Sequence, residues 1–226
     1  MNRDFCTAGL QPSSILAHRG WFLDPVEKNS AVALERAIQG GFGIETDLRD
    51  LNGRLVISHD PPRDSPKLLD LGWLFELIHA SGNKGRIALN IKADGLLPLL
   101  VPVQQALGVA ADQLFVFDMS VPDALAYLNS TIPAYSRISE YEDSPSFLDQ
   151  VQGVWVDSFT GAFPQVRRAE ELMARGIRVA IVSPELHRRD PRTLWNEILD
   201  ARVHENPLFE LCTDLPAQAL DMFCQS

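Results

Sequence analysis

Short apolar segments alternate along the chain with longer segments in which apolar residues recur at helical spacing. Each apolar segment has four or five residues, a length typical of buried strands. Helical patterns fill most of the gaps, and two of them follow Ser30 and Ser120, whose hydroxyls can cap a first turn. The alternation predicts a parallel sheet covered by helices. The nine strand segments lie at residues 15–18, 43–47, 55–59, 87–91, 114–118, 134–138, 154–157, 178–182 and 208–212.

The number and order of these elements favour one architecture. In a chain of 226 residues, about eight strands followed by helices are typical of a (β/α)8 TIM barrel, an α/β fold. We therefore expect residues 1–226 to form a single domain of this kind. An open doubly wound sheet is the alternative, although no G-x-G-x-x-G turn follows the first strand. One pair departs from the alternation, because only a Leu-Asn-Gly turn separates the segments at 43–47 and 55–59.

Polar residues collect at the carboxyl ends of the predicted strands. In a barrel of parallel strands these ends share one mouth, where the active sites of this fold lie. A single polar residue there, such as Asp157 or Asp214, is more often a helix cap or a loop anchor than a ligand. Several together within the first four strands indicate a functional cluster. The residues concerned are His18, Arg19, Glu45, Asp47, His59, Asn90 and Lys92, followed by Asp118, Arg137, Asp157, Glu185 and Asp214.

Glu45 and Asp47 need a partner, because side chains two positions apart on a strand point the same way. Adjacent buried carboxylates repel each other unless something positive lies between them. Carboxylate oxygens suit Mg²⁺ or Ca²⁺, so the pair can be part of a metal site. A buried salt bridge to Arg19, Arg49 or Lys92 is an alternative of equal weight.

Two histidines flank the carboxylate pair in the sequence, His18 before it and His59 after it. One neutral and one protonated imidazole provide the general base and the general acid that a reaction needs near pH 7. The other three histidines, His79, His187 and His204, are interpreted as satisfied core or surface residues.

The amino-acid composition limits the molecules and membranes with which the protein is expected to interact. The formal net charge is -10 and Lys/Arg runs are missing, which argues against nucleic acid or a polybasic membrane contact. The most apolar run begins at Leu96 and contains two prolines and a Gln pair, so we expect no integral membrane segment. Cys6, Cys212 and Cys224 are scattered without a disulfide framework, which favours the cytoplasm. The oligomeric state stays open.

Three motifs together are more specific than any single residue. They are AHRG at 17–20, NS at 29–30 ahead of a helix, and GFGIETDLRDLNGRLVISHD at 41–60. In these motifs the chain resembles the glycerophosphodiester phosphodiesterase family, a family of (β/α)8 barrels. The resemblance continues at LNIK (89–92) and at CTDLP (212–216), which is similar to the family's closing Thr-Asp-x-Pro turn.

The resemblance implies a metal-dependent phosphodiesterase that acts on a small or lipid-derived, glycerophosphodiester-like substrate. A substrate hydroxyl attacks phosphorus and histidines move the protons, while the metal, Arg and Lys neutralise the phosphoryl oxygens. The implied roles are acid/base catalysis for His18 and His59, phosphate binding for Arg19 and Lys92, and ligation of Mg²⁺ or Ca²⁺ for Glu45 and Asp47.

Asn90 departs from the family pattern, in which a third acidic metal ligand stands at this position. An amide oxygen can bind a hard cation but brings no charge, so the site should hold a metal more weakly. Asp118 or Asp157 could supply the missing charge. Lys28 replaces the family's Glu and is interpreted as solvated. The alternative function is therefore a catalytically weak barrel that binds a phosphate ligand.

Overall fold

The computed structural model describes residues 10–224, which form ten strands and seven α-helices. All nine predicted strands are present, most with ends within two residues of the expected positions. The strands are β1 (Ile15–His18), β2 (Gly43–Leu51), β3 (Arg54–Ile57), β4 (Leu69–Asp70), β5 (Ile87–Ile91), β6 (Leu114–Phe117), β7 (Tyr135–Ile138), β8 (Gly153–Val156), β9 (Arg178–Val182) and β10 (Phe209–Thr213). The helices are α1 (Ala31–Gln39), α2 (Leu71–Ser81), α3 (Leu97–Ala106), α4 (Val121–Leu128), α5 (Gln165–Met173), α6 (Arg192–Asp200) and α7 (Pro216–Cys224).

Eight strands form a ring of parallel neighbours in the order β1, β2, β5, β6, β7, β8, β9 and β10, with β10 returning to β1. All of these contacts are ladders except the one between β6 and β7. There, a single parallel bridge joins Val116 to Ala134, and the Val116 N–H donates to the Pro133 carbonyl at 2.9 Å. The architecture is the expected (β/α)8 barrel, with a seam between β6 and β7.

The segment between β2 and β5 is a hairpin that lies outside the ring. β2 and β3 are antiparallel, with Leu48 opposite Ile57, and β3 pairs in turn with the short strand β4. Asn52 and Gly53 both have positive φ angles, 54° and 78°, as a tight hairpin turn requires. β3 is therefore antiparallel and not a strand of the ring, so the expected direction of the strand before His59 is wrong, although its carboxyl end does return to the level of Asp47.

Local sequence signals explain where the helices begin and end. Ser30 caps α1 by accepting a hydrogen bond from the Ala33 N–H, and Ser120 caps α4 in the same way through Asp123. Gly82 ends α2 in the left-handed conformation, which costs glycine little. The caps place the start of each of these helices at a sequence-determined position after its strand.

Aromatic side chains fill the interior of the barrel. Phe115 stacks on Tyr135 with ring centroids 3.8 Å apart, and Phe117 stacks on Trp155 at 4.0 Å. Gly153 is required beside this layer, because a Cβ atom there would lie 2.3 Å from the Tyr135 ring. The barrel is thus a packed core and not a channel, so its open polar chemistry lies at the ends.

The cysteines differ from the expectation. Cys212 is a free thiol buried inside the barrel, whereas Cys224 is disulfide-bonded. The prediction of a chain without disulfides is wrong for Cys224, and the cysteines no longer argue for a reducing compartment. Cys6 lies outside the described residues. No helix within residues 10–224 has the length and apolar character that crossing a membrane requires.

Candidate active site

Three neighbouring strands, β1, β2 and β5, bring predicted site residues together at the mouth. The strand register sets His18 beside Glu45, and Asp47 beside Asn90. Glu45 and Asp47 are both fully buried, with exposed fractions of 1% and 0%. Residues in register on adjacent parallel strands point to the same side of the sheet. The four side chains therefore face one region at the carboxyl ends of the strands.

His18 is held by Asp214, which follows β10. This strand is the neighbour of β1 on the side away from β2. The His18 Nδ1 atom lies 2.6 Å from Asp214 Oδ1, and Lys28 Nζ donates to Asp214 Oδ2 at 3.0 Å. Lys28 also lies over the Phe22 ring, 4.6 Å from its centroid. Burial alone would raise the pKa of Asp214, but the hydrogen bond and charge of His18 and the charge of Lys28 lower it. Lys28 is part of the site, so its interpretation as a solvated residue is wrong.

Asp47 has positive groups on both sides. Arg19 Nε lies 2.8 Å from Asp47 Oδ2, as an ion pair whose N–H is not aligned for a hydrogen bond. Asn29 Nδ2 donates to the same oxygen at 2.8 Å, and Lys92 Nζ lies 3.4 Å from Oδ1. The salt-bridge alternative is thus realised for Asp47 by Arg19 and Lys92. Arg49 instead donates to a backbone carbonyl after β3.

Glu45 has weaker compensation than Asp47. Its nearest basic side chain is His18, whose Nε2 lies 3.8 Å from Glu45 Oε2, and the Arg19 backbone N–H donates to the same oxygen at 3.2 Å. Burial raises the pKa of Glu45 to about 7, with His18 acting against this shift and Asp47 adding to it. Glu45 therefore sits between its protonated and ionised forms near neutral pH, where an added cation would favour the ionised form.

The oxygen atoms at this mouth fit a hard divalent cation. Asn90 is buried at 7% exposure and its Oδ1 has no hydrogen-bond partner, and Asp47 Oδ1 also accepts no hydrogen bond. With Glu45, three residues on adjacent strands offer the oxygen donors that Mg²⁺ and Ca²⁺ prefer. Within residues 10–224, no group of three or more His, Cys, Asp or Glu side chains could hold a metal ion. The third donor of the set formed with Glu45 and Asp47 is the uncharged amide of Asn90.

A second polar cluster lies at the ends of β6, β7 and β8. Arg137 bridges Asp118 and Asp157, with Nε 2.8 Å from Asp118 Oδ1 and Nη1 2.9 Å from Asp157 Oδ2. Asp157 Oδ1 accepts a further hydrogen bond from His187 Nε2 at 2.7 Å. Arg137 engages both carboxylates, although its single positive charge balances only one of them, and within the described residues no hydrogen bond or ion pair joins Asp118 or Asp157 to Asn90.

His59 is set apart from the other predicted residues. Its side chain is half exposed, and its Nδ1 lies 2.9 Å from the exposed carboxylate of Asp60. The Ser58 N–H donates to the Asp47 carbonyl, so His59 follows at the level of Asp47 beside β2. Among the contacts of the described residues, none joins the His59 ring to His18.

Functional roles were not predicted from the sequence for three residues that the structure places at the mouth. Asp214 and Asp157 were treated as loop anchors and His187 as a structural residue, yet both aspartates hold a histidine. The available signal was their position directly after a strand, which is shared by capping residues. A second signal for Asp214 was its motif, Cys-Thr-Asp-Leu-Pro, which resembles the closing turn of the family.

No family model matches the sequence, and no curated protein matches it. Solved structures do match. A glycerophosphodiester phosphodiesterase from Parabacteroides distasonis superposes with a TM-score of 0.70 at 16% identity, over 92% of this chain and 95% of that one. A candidate glycerophosphodiester phosphodiesterase from Galdieria sulphuraria gives 0.73 at 16%, over 96% and 99%. A glycerophosphodiester phosphodiesterase from Agrobacterium tumefaciens gives 0.64 at 16%, over 94% and 99%.

At 16% identity these matches establish similarity of fold alone. The similarity extends over nearly the whole length of each chain. The family resemblance that the sequence motifs indicate is confirmed at this level. We conclude that the chain adopts the (β/α)8 barrel of the glycerophosphodiester phosphodiesterase structures.

Proposed function

We propose that this protein is a phosphoric diester hydrolase that binds the diester phosphate at Arg19 and Lys92, with His18 as an acid/base group. The observation that carries the proposal is a single one: an imidazole held by a carboxylate faces the same mouth as two cations. His18 is paired with Asp214, and Arg19 and Lys92 both lie against Asp47. Fold similarity to phosphodiesterases supports the same reaction class.

The contacts of His18 suggest how it would act. Asp214 takes the Nδ1 side of the ring, which leaves Nε2 to accept a proton from the attacking hydroxyl of the substrate. As the new P–O bond forms, charge gathers on the phosphoryl oxygens, where Arg19 and Lys92 would stabilise it. The departing alcohol needs a proton, and the family resemblance gives this role to His59.

A divalent metal ion would belong to the same proposal. Glu45, Asp47 and Asn90 would hold Mg²⁺ or Ca²⁺, and the bound ion would add positive charge at the phosphoryl oxygens. Since Asn90 contributes no charge, we expect weak binding that a chelator removes readily.

The substrate that we propose is a small, glycerophosphodiester-like molecule released by lipid breakdown. The net charge of -10 argues against nucleic acid as the substrate. The cations on this side of the mouth are Arg19, Lys28 and Lys92, and they lie against Asp47 and Asp214, a local arrangement that suits a small anion better than a polymer.

The proposal is tested by hydrolysis of a panel of glycerophosphodiesters with Mg²⁺, with Ca²⁺ and with a chelator. We expect turnover that His18→Ala reduces about 10²–10⁴-fold, the usual contribution of a positioned acid/base group. His79→Ala, an exposed histidine on α2, is the matched control and should keep full activity. Full activity of His18→Ala would contradict the mechanism.

A second candidate function is a barrel that binds a phosphate ligand without turnover. The observation in its favour is Asn90, where the phosphodiesterase family has an acid. It predicts calorimetric binding of a glycerophosphodiester that Arg19→Ala and Lys92→Ala weaken, with no product formed under any metal condition.

A further inference from the structure

Lys28 contacts the carboxylate that holds His18, and it stands where the phosphodiesterase family has a glutamate. Its Nζ atom donates to Asp214 Oδ2 at 3.0 Å, while Asp214 Oδ1 lies 2.6 Å from His18 Nδ1. The side chains of Lys28 and Asp214 have exposed fractions of 26% and 15%. One carboxylate therefore joins a lysine to the proposed acid/base histidine through its two different oxygens. Neither the sequence motifs nor the family resemblance gives Lys28 a role in the reaction.

The loop that carries Lys28 is restrained by its own contacts. Pro25–Glu27 forms a turn of 3₁₀ helix, and the Lys28 N–H donates to the first carbonyl of that turn at 3.3 Å. Glu27 accepts a hydrogen bond from Arg36 Nη1 at 2.9 Å, which ties the turn to α1. The Lys28 ammonium lies over the Phe22 ring, where a cation–π contact holds it. Because the backbone and the ammonium are both restrained, pairing with Asp214 costs less side-chain entropy than it would for a mobile lysine.

The backbone of Asp214 is fixed from the side of β9. The Asp214 N–H donates to Glu185 Oε1 at 3.0 Å, and Thr213 Oγ1 donates to the same oxygen at 2.5 Å. These bonds locate the backbone, but they leave the carboxylate free to turn about its last side-chain torsion, which has a broad energy minimum. His18 engages one carboxylate oxygen, and Lys28 engages the other. With a partner on each oxygen, the plane of the carboxylate is set.

The orientation of this carboxylate decides where the His18 ring points. Nε2 can take a proton from the attacking hydroxyl only when it lies within hydrogen-bond reach of that hydroxyl. A carboxylate on Nδ1 directs the ring in this way. A misplacement of about 1 Å in an active site can cost about 100-fold in rate. A group that fixes Asp214 therefore contributes to the rate without touching the substrate.

We infer that Lys28 is a positioning residue that orients His18 through Asp214 in the proposed phosphodiesterase reaction. This inference rests on the proposed function and adds one residue to it, with the roles of His18 and His59 unchanged. The ammonium of Lys28 already has a carboxylate as its partner, so the phosphate is left to Arg19 and Lys92. Loss of Lys28 should therefore lower kcat and leave KM nearly unchanged.

The test measures kcat and KM on the member of the glycerophosphodiester panel that the unmodified protein hydrolyses fastest. We expect Lys28→Met, which removes the charge at similar side-chain length, to lower kcat about 10-fold and to change KM less than about 2-fold. Lys28→Arg keeps the charge and the donors, so its kcat should stay within about 3-fold of the unmodified value. Lys84→Met, at an exposed position before β5, is the matched control and should change neither constant. Thermal unfolding checks that each variant is folded.

A second pair of variants tests whether Lys28 acts through Asp214. In the Asp214→Asn protein the carboxylate that Lys28 would orient is absent. We therefore expect Lys28→Met to lower kcat less than about 2-fold in this background, because the effects of two residues in contact are not additive when one acts through the other.

The outcomes separate the inference from the function on which it rests. A loss of kcat in Lys28→Met that Lys28→Arg avoids, and that disappears in the Asp214→Asn background, supports the positioning role. An unchanged kcat, a rise in KM alone, an equal loss in Lys28→Arg, or the same loss in both backgrounds overturns it while the proposed function stands. If the unmodified protein hydrolyses no member of the panel, the proposed function fails and the inference fails with it.

Discussion

The two ends of the barrel each bury a glutamate, and they treat its charge differently. Glu210 lies near the start of β10, at the end opposite the mouth, where Arg86 Nε is 2.9 Å and Arg178 Nη1 is 3.7 Å from Oε1. Glu45 lies at the mouth, where the nearest basic side chain is the His18 ring at 3.8 Å. Both carboxylates are 1% exposed. The difference between them lies in the supply of positive charge and not in burial.

The comparison shows that the charged groups at one end of the barrel serve stability, whereas those at the mouth are arranged for binding and chemistry. Burial raises the pKa of both glutamates, and at the closed end the pKa stays raised although two guanidinium groups act against the shift. At the mouth, Arg19 and Lys92 lie against Asp47, so Glu45 keeps a pKa raised to about 7. Incomplete compensation costs stability but leaves room for a cation and an anionic ligand.

The strongest test of this comparison removes the charge at the closed end. We expect Glu210→Gln to lower the free energy of unfolding by about 3–5 kcal/mol, because Arg86 loses its buried counterion. Activity per folded molecule should not change, since the mouth is untouched. Chemical denaturation measures the effect. Glu205→Gln, in an exposed pair with Arg202, is the matched control and should leave stability unchanged. An equally small change in Glu210→Gln would show that the closed end does not depend on this charge.

The second test concerns Glu45 and pH, with a chelator present. The pKa of Glu45 is raised from 4.5 to about 7 in the folded protein, so the folded state binds more protons than the unfolded state between these values. Stability therefore falls as pH rises from 4.5 to 7, by about 3 kcal/mol in total. Glu45→Gln should remove this slope and be the more stable protein at pH 8. Unfolding free energies across this range measure it, and a slope that persists in Glu45→Gln would assign it to another group.

The smallest expected effect concerns the third oxygen ligand. Asn90→Asp adds one negative charge beside Asp47, so we expect it to tighten Mg²⁺ or Ca²⁺ binding about 10-fold. Calorimetric titration of the metal measures this without requiring activity. Asn129→Asp, at an exposed position after α4, carries the same change away from the mouth and should bind no better than the unmodified chain. No gain in Asn90→Asp would mean that Arg19 and Lys92 occupy Asp47 too firmly for a metal to enter.

Much of the fold could be predicted because its signals are local. Strand ends, helix caps and the alternation of elements depend on a few neighbouring residues, and Ser30 and Ser120 cap their helices as expected. The pairing of β3 was misjudged as part of the ring. The residues of a short strand do not indicate whether it pairs parallel or antiparallel. Only the tight Asn52-Gly53 turn indicates that the chain reverses between β2 and β3.

The site was predictable in part for a similar reason. His18, Glu45 and Asp47 follow from strand periodicity and from the motifs that carry the family resemblance. Their partners do not, because Asp214 lies 196 positions from His18, and a lone aspartate after a strand looks like any capping residue. Lys28 looked solvated for the same reason, since the carboxylate that it contacts lies 186 positions away.

The sequence by itself determined the alternation of strands and helices, the barrel architecture and the residue types at its mouth. Only the tertiary structure decided which charges meet: that Arg19 and Lys92 lie against Asp47, that Asp214 holds His18, and that Asp157 holds His187. Closing the ring brings distant strand ends within hydrogen-bond range, and buried charges interact strongly over such distances. The chemistry of this protein therefore depends on pairings that local sequence patterns do not contain.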